Sequence, residues 1–282
     1  MKPKILVTRE VFDETLAYLA ETCEVESNQG DQPLDPAALA QKLKDKDGVI
    51  CCLTDKIDAA ALAAAARLKV VANIAVGYNN IDVPACTARK VMVTNTPGVL
   101  DDSTADLAFA LILATARRVT EVEDYVRAGN WKGWHLKQLL GVDVHHATLG
   151  IIGMGRIGQQ IARRASGFKM KVLYQNRNRW PADVEKWLNA EYASKEQVLR
   201  ESDFVVLQVP YSPATHHYIG AAELKMMKKS AILINSTRGG VVDDTALVEA
   251  LKNGTIRAAG LDVFENEPAL NPGFLELKNV VL

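Results

Sequence analysis

The sequence predicts an α/β protein made of two parallel-sheet units, the first over residues 1–100 and the second over residues 101–282. Three observations carry that expectation. Short apolar runs alternate with helical patterns along the whole chain. The alternation breaks once, at TPGVLDDST, and then starts again. Hydrophobic residues make up 48% of the 282, enough to cover a sheet on both faces. Alternation of this kind gives doubly wound parallel sheets, because each crossover helix lays its apolar stripe on the strands it joins.

In the first unit KILVT, GVICCL, KVVANIA and VMVTN read as strands. FDETLAYLAE, DPAALAQKLKD, DAAALAAAARL and the short DVPACTARK read as the helices between them. Pro97 and Gly98 then punctuate the chain, and Asp102 or Ser103 can cap the next helix. That helix is expected to run unbroken from about Thr104 to Gly129. The second series comprises TLGIIG, KVLYQ, DFVVLQV, AILINS, RAAGLDV and NVVL.

The totals exclude several classes. A net charge of −1 with interspersed signs leaves no footprint for nucleic acid or an anionic membrane. The apolar stretch LAFALILATA, flanked by Asp106 and Arg117, is a core helix too short to span a bilayer. Because strand-like KILVT begins at once, no signal peptide is expected. Cys23, Cys51, Cys52 and Cys86 form no CxxC pair and read as free thiols of a cytoplasmic protein. No His/Cys/carboxylate spacing resembles a metal site, so none is expected.

The stretch TLGIIGMGRIGQQIARRA carries the first chemistry. Gly153-x-Gly155-x-x-Gly158 follows a continuous apolar run and opens a helix with Ile157, Ile161, Ala162 and Ala165 at helical spacing. In a dinucleotide-binding turn the first glycine permits the tight bend, the second admits the pyrophosphate, and the third lets helix and strand pack closely. The helix N-terminus then offers N–H groups and a positive dipole end to the phosphates. An NAD site places Asp or Glu about 20 residues further on, for the ribose 2′-hydroxyl. Here Gln175 and Asn176 stand there, followed by Arg177 and Arg179. No carboxylate repels a 2′-phosphate and two guanidiniums stand ready for one, so NADP(H) is expected ahead of NAD(H). Solvated loop arginines are the plainer alternative.

Three further stretches stand at strand ends, where ligands bind in doubly wound sheets. INSTRGGVVDD places Arg238, a planar and permanently charged fork suited to a carboxylate, after a strand. GLDVFENEP ends a strand with Asp262 and reaches Glu267. NIAVGYNNID places Gly77 after an apolar run, where backbone N–H groups can hold an anion. Singly, these read more often as a surface arginine, a solvated acidic turn and a hairpin-like glycine.

Together and in this order, VGYNNID, GMGRIG, NSTRGG and GLDVFENEP resemble the D-isomer-specific 2-hydroxyacid dehydrogenases, over essentially the whole chain. DVHHATLGIIGMGRIG and ATARRV are most similar to the bacterial glyoxylate/hydroxypyruvate/2-ketogluconate reductases. The resemblance implies a flavodoxin-like substrate domain, a Rossmann dinucleotide domain inserted after it, and an active site in the cleft between them. It also implies a homodimer built on the helix near 104–129 and the following WKGWH stretch. By the same resemblance, Arg238 binds the substrate and Glu267 pairs with a catalytic histidine. Val76 and Gly77 hold the substrate carboxylate and Leu53 lines the pocket. Thr104, Arg156, Ile157, Val209, Pro210, Thr237 and Asp262 match cofactor contacts, and Asn176 and Arg177 stand where NADPH-using members grip the 2′-phosphate.

The implied reaction is NADPH-dependent reduction of a small 2-oxo acid: glyoxylate, hydroxypyruvate or 2-ketogluconate. The histidine that would donate the proton normally follows the last strand of the cofactor domain, whereas this sequence runs only to KNVVL. His135, His145, His146, His216 and His217 do not match that position. The expectation is a parent chain roughly 40 residues longer, closing the first domain. A chain of only these 282 residues is expected to bind NADPH and reduce substrate poorly, or to serve as a non-catalytic, corepressor-like dinucleotide binder.

Overall fold

The computed structural model describes residues 1–282, which divide into two compact units, Met1–Val99 and Leu100–Leu282. The first unit runs β1 (Lys4–Val7), α1 (Asp13–Thr22), β2 (Glu24–Ser27), α2 (Pro36–Leu43), β3 (Gly48–Cys51), α3 (Ala59–Ala64), β4 (Val70–Asn73), α4 (Val83–Ala88) and β5 (Met92–Thr94). Its five strands are all parallel, in the order β2-β1-β3-β4-β5. The winding reverses between β1 and β3, so the carboxyl ends of those strands open a crevice. Asp35, Asp58 and Asp82 cap α2, α3 and α4 by accepting hydrogen bonds from first-turn N–H groups, each worth about 1 kcal/mol. Leu6, Leu43, Val49, Leu62 and Val71 form the buried centre.

The second unit begins with α5 (Asp101–Ala116) and α6 (Val119–Arg127). It continues β6 (Thr148–Ile152), α7 (Arg156–Gly167), β7 (Lys171–Gln175), α8 (Ala182–Leu188), β8 (Ala190–Tyr192), α9 (Lys195–Glu201) and β9 (Phe204–Leu207). It ends α10 (Ala221–Met226), β10 (Ile232–Asn235), α11 (Asp244–Lys252), β11 (Ala258–Leu261) and β12 (Val280–Val281). The seven strands are parallel, in the order β12-β11-β10-β9-β6-β7-β8, and the winding reverses between β6 and β9. β9, β10 and β11 are buried along their whole length. That is why they read as unbroken apolar runs: helices cover both faces of a parallel sheet.

Two expectations are corrected. The helix expected over 104–129 is two helices, because Arg118 takes a left-handed backbone conformation, φ 56°. Its guanidinium pairs with Glu121 at 2.7 and 2.8 Å. The change of side-chain chemistry explains the break. α5 is apolar nearly all round and buries Ala108, Phe109, Ile112 and Ala116 in the core, whereas α6 buries none of its residues. Two strands absent from the sequence reading, β2 and β8, are sheet edges. EVES and AEY are short and carry charge, as edge strands do, so no apolar run announces them. No helix is long and apolar enough to cross a membrane.

Candidate active site

The glycine turn lies at the reversal of winding in the second unit. β6 delivers the chain to Gly153, whose φ of 98° an L side chain rarely adopts. A Cβ there would stand 2.5 Å from the Gln208 carbonyl oxygen, so strand β9 closes on the turn. At Gly158 a Cβ would stand 2.7 Å from the Gly153 oxygen, which holds α7 tight against β6. Gly155 differs: a Cβ there would meet no protein atom within 4 Å. Packing gives no reason for glycine at 155, and the open space lies at the N-terminus of the twelve-residue helix α7. The N–H groups of Arg156 and Ile157 fall in its first turn and have no intrahelical acceptor. Oriented N–H groups, a dipole end and open space together fit a pyrophosphate.

Three of the other expected cofactor contacts lie on neighbouring elements. Val209 and Pro210 follow β9, and Val209 Cγ1 would be 2.9 Å from a Cβ at Gly153. Thr104 is half-buried in the first turn of α5. That helix is tied to α7 by Arg164, which donates to Asp106 at 2.6 Å and to Asp102 at 3.1 Å.

The end of β7 separates three residues that the sequence groups together. Asn176 accepts from the Met154 N–H at 2.6 Å and donates to the Met154 carbonyl at 3.2 Å, so its amide is spent on shaping the glycine turn. Arg179 is held by both carboxylate oxygens of Glu185, each at 2.8 Å. Glu185 also accepts from the Tyr174 hydroxyl at 2.7 Å. Arg179 pulls the Glu185 carboxyl below its ordinary range, while burial and then Glu185 push the Tyr174 hydroxyl up to about 12. Arg177 alone is exposed and without a partner, available to an anion. Sequence reasoning missed Glu185 because it lies on the next helix. It also missed Trp180, whose indole N–H donates to the Met154 carbonyl at 2.7 Å.

At the ends of β10 and β11 two loops meet. Asn235 orders the first: its carboxamide oxygen accepts from the Thr237 N–H and hydroxyl, and its amide donates to the Arg238 carbonyl at 3.1 Å. Arg238 is half-buried and donates to the Thr237 carbonyl at 2.6 Å. Burial lowers its pKa and Glu267 works the other way; a guanidinium stays charged regardless. A Cβ on Gly239 would fall 1.9 Å from the Phe264 oxygen, so the Arg238 loop is laid directly on the loop after β11. In that second loop Glu267 accepts from the Phe264 N–H at 2.7 Å. The Asp262 carboxyl is pushed up by desolvation and then by the charge of Glu267. Arg238, Asp262 and Glu267 thus share one electrostatic neighbourhood.

Glu265, unnoticed in the sequence, clasps that loop. It meets His217 Nε2 at 2.6 Å and accepts from the Asp244 N–H at 3.3 Å, while Asp244 accepts from its N–H at 2.9 Å. Burial, then the charges of Glu265 and Asp243, push the Asp244 carboxyl up to about 6 against the hydrogen bond from Glu265 N–H. His216 stacks on His217 with ring centroids 3.9 Å apart and planes 24° apart. Their ring nitrogens and a Glu265 oxygen lie within 4.8 Å of one another, but lone pairs of stacked rings run side by side instead of converging on an ion. His135, His145 and His146 are exposed. In the first unit, Leu53 is exposed after β3, and Val76 and Gly77 form a half-buried bend after β4.

The glycine turn at the reversal of winding and the paired loops at the strand ends fit a dinucleotide-dependent oxidoreductase unit. Residues 109–282 match the family model described as D-isomer specific 2-hydroxyacid dehydrogenase, NAD binding domain. A glyoxylate reductase of Pyrococcus horikoshii is 51% identical over 286 residues, covering 100% of this chain and 85% of that protein. Among solved structures, an NADPH-dependent glyoxylate/hydroxypyruvate reductase from Sinorhizobium meliloti, in complex with NADP and malonate, superposes with a TM-score of 0.87. It is 33% identical, over 100% of this chain and 86% of that one. D-lactate dehydrogenase from Aquifex aeolicus, complexed with NAD and lactic acid, gives a TM-score of 0.85 at 29% identity, over 99% of this chain and 86% of that one. The chain belongs to the D-isomer-specific 2-hydroxyacid dehydrogenases. Its activity is of the NAD(P)-dependent 2-hydroxyacid dehydrogenase class.

Proposed function

We propose that the protein reduces small 2-oxo acids with NADPH, glyoxylate and hydroxypyruvate foremost and 2-ketogluconate as a further candidate. The observation that carries the reading is Arg238, half-buried, ordered by Asn235 and laid against the Glu267 loop. A half-buried guanidinium in that position suits a carboxylate beside a carbonyl, because its planar fork donates to both. The Val76 and Gly77 amides are assigned to the same carboxylate, Leu53 to the pocket wall and Glu267 to pairing with the general acid. Gly153, Gly155, Gly158, Arg156 and Ile157 would hold the pyrophosphate, and Thr104, Val209, Pro210, Thr237 and Asp262 the rest of the nucleotide. When bound, the dinucleotide supplies the hydride.

Preference for NADPH rests on Arg177, unpartnered at the end of a strand that lacks an acidic residue there. Trp131, Trp134, Leu136 and Leu140 are exposed along one segment, which fits burial in a homodimer. Four free thiols fit a reducing compartment, the cytoplasm. A steady-state panel of the three oxo acids with each nicotinamide, run on the full-length protein, tests the reading. Turnover of at least one with NADPH, abolished in Arg238→Ala, is expected. Equal kcat/KM with NADH and NADPH overturns the cofactor assignment, and turnover surviving in Arg238→Ala overturns the site.

A further inference from the structure

We propose that Asn95 and Asn73 are positioning residues that hold the bend after β4 open as an anion cradle, with the Tyr78 N–H as a donor beyond those of Val76 and Gly77. This deepens the reading that the bend takes the substrate carboxylate, and rests on it. Three consecutive carbonyls of the bend are engaged by neighbours in the same unit. The Ala75 oxygen accepts from the Thr96 N–H at 3.0 Å. The Val76 oxygen accepts from Asn95 Nδ2 at 2.8 Å, and the Gly77 oxygen from Asn73 Nδ2 at 2.8 Å. In a trans peptide the C=O and the following N–H point to opposite sides of the chain. Fixing the carbonyls of 75, 76 and 77 therefore turns the N–H groups of 76, 77 and 78 away from the atoms that hold them. None of those three N–H groups has an acceptor in the chain. Three successive N–H groups without an acceptor in the chain, in half-buried or exposed backbone, are open to an anion.

The two asparagines are themselves fixed. Asn73 is 2% exposed at the end of β4, and its carboxamide oxygen meets the Cys51 thiol at 3.5 Å and the Asn80 amide at 3.3 Å. Asn80 in turn donates to the Cys52 and Asp55 carbonyls at 3.0 and 3.1 Å, tying the far end of the bend to the loop after β3. Asn95 is half-buried and has the single task of holding Val76, which makes it the cleaner position to change. Leucine keeps the shape of asparagine and lacks the donor; glutamine keeps an amide donor on a longer stem.

The test titrates oxalate, a planar carboxylate, into the NADPH-loaded protein and follows glyoxylate kinetics beside it. Expected for Asn95→Leu is a roughly tenfold rise in the oxalate Kd and the glyoxylate KM, as loss of a hydrogen bond to a charged-ligand site predicts. kcat should stay within about threefold and the NADPH Kd within about twofold, and Asn95→Gln should recover most of the loss. Independently of any variant, oxalate should move the amide resonances of Gly77 and Tyr78 in the unsubstituted protein. If that protein binds oxalate while those resonances stay put, or while Asn95→Leu binds equally well, the inference fails and the reduction reading stands. If it binds no oxalate, the reading underneath fails and takes this inference with it.

Discussion

Arg177 offers the sharpest test of nucleotide choice. It is exposed and unpartnered, while its neighbour Arg179 is engaged by both oxygens of Glu185. On the proposed reading, Arg177→Ala removes one charge-assisted contact to a 2′-phosphate, and it breaks no contact within the chain. Such a contact is worth about 1.5–3 kcal/mol. Solvent screening on an exposed side chain holds it near the lower end, about 1.5 kcal/mol, which is about tenfold in dissociation constant. The assay is fluorescence titration of NADPH and NADH at low and moderate salt. Arg177→Ala should weaken NADPH about tenfold, more at low salt, and leave NADH within about twofold. Arg179→Ala should leave the NADPH-to-NADH ratio unchanged, because that guanidinium serves Glu185. Equal weakening of both nucleotides by Arg177→Ala, or discrimination that follows Arg179 instead, refutes the reasoning.

Two further outcomes follow from the same geometry. Gly153→Ala forces φ 98° on an L residue and drives a methyl to 2.5 Å from the Gln208 oxygen. It should cost about 2 kcal/mol or more of stability and most of the nucleotide affinity, and unchanged melting with full NADPH binding would contradict the turn described above. For Asp244, whose carboxyl is raised from 3.8 to about 6, the folded state holds its proton to higher pH than the unfolded chain. Its contribution therefore falls as pH rises from about 4 to about 6, and the penalty is complete above that. Asp244→Asn should gain about 2 kcal/mol more over the wild type at pH 7.5 than at pH 4.5, by denaturant titration. A gain independent of pH would show that burial of Asp244 is not the cause.

Much of this was legible in the sequence, for identifiable reasons. Fully buried parallel strands such as ILIN and FVVL announce themselves because both faces are covered. The glycine turn was legible because two of its glycines answer to steric demands inside the chain, at 153 and 158. The break at Arg118 was hidden, since no proline or glycine marks it; only the shift from LAFALILATA to RRVTEVEDYVR did. The pairing of Arg179 with Glu185 and of His217 with Glu265 joins residues on different elements. Periodicity and local spacing are blind to such partners, so two arginines that looked alike in RNR have different employment. The Asn95 anchor on Val76 was equally invisible, being a contact between adjacent strand ends.

Met154 joins two decisions usually treated as separate. Its N–H and carbonyl are gripped by Asn176 and Trp180, from the segment after β7 to which nucleotide choice is assigned above by proposal. Installing an acid at 176 would leave the Met154 N–H an acceptor but remove the 3.2 Å amide donor from its carbonyl, leaving that oxygen to the Trp180 indole alone. On the proposed reading, a change made at 176 for the sake of the ribose therefore also reaches the glycine turn, through the two bonds that residue makes to Met154.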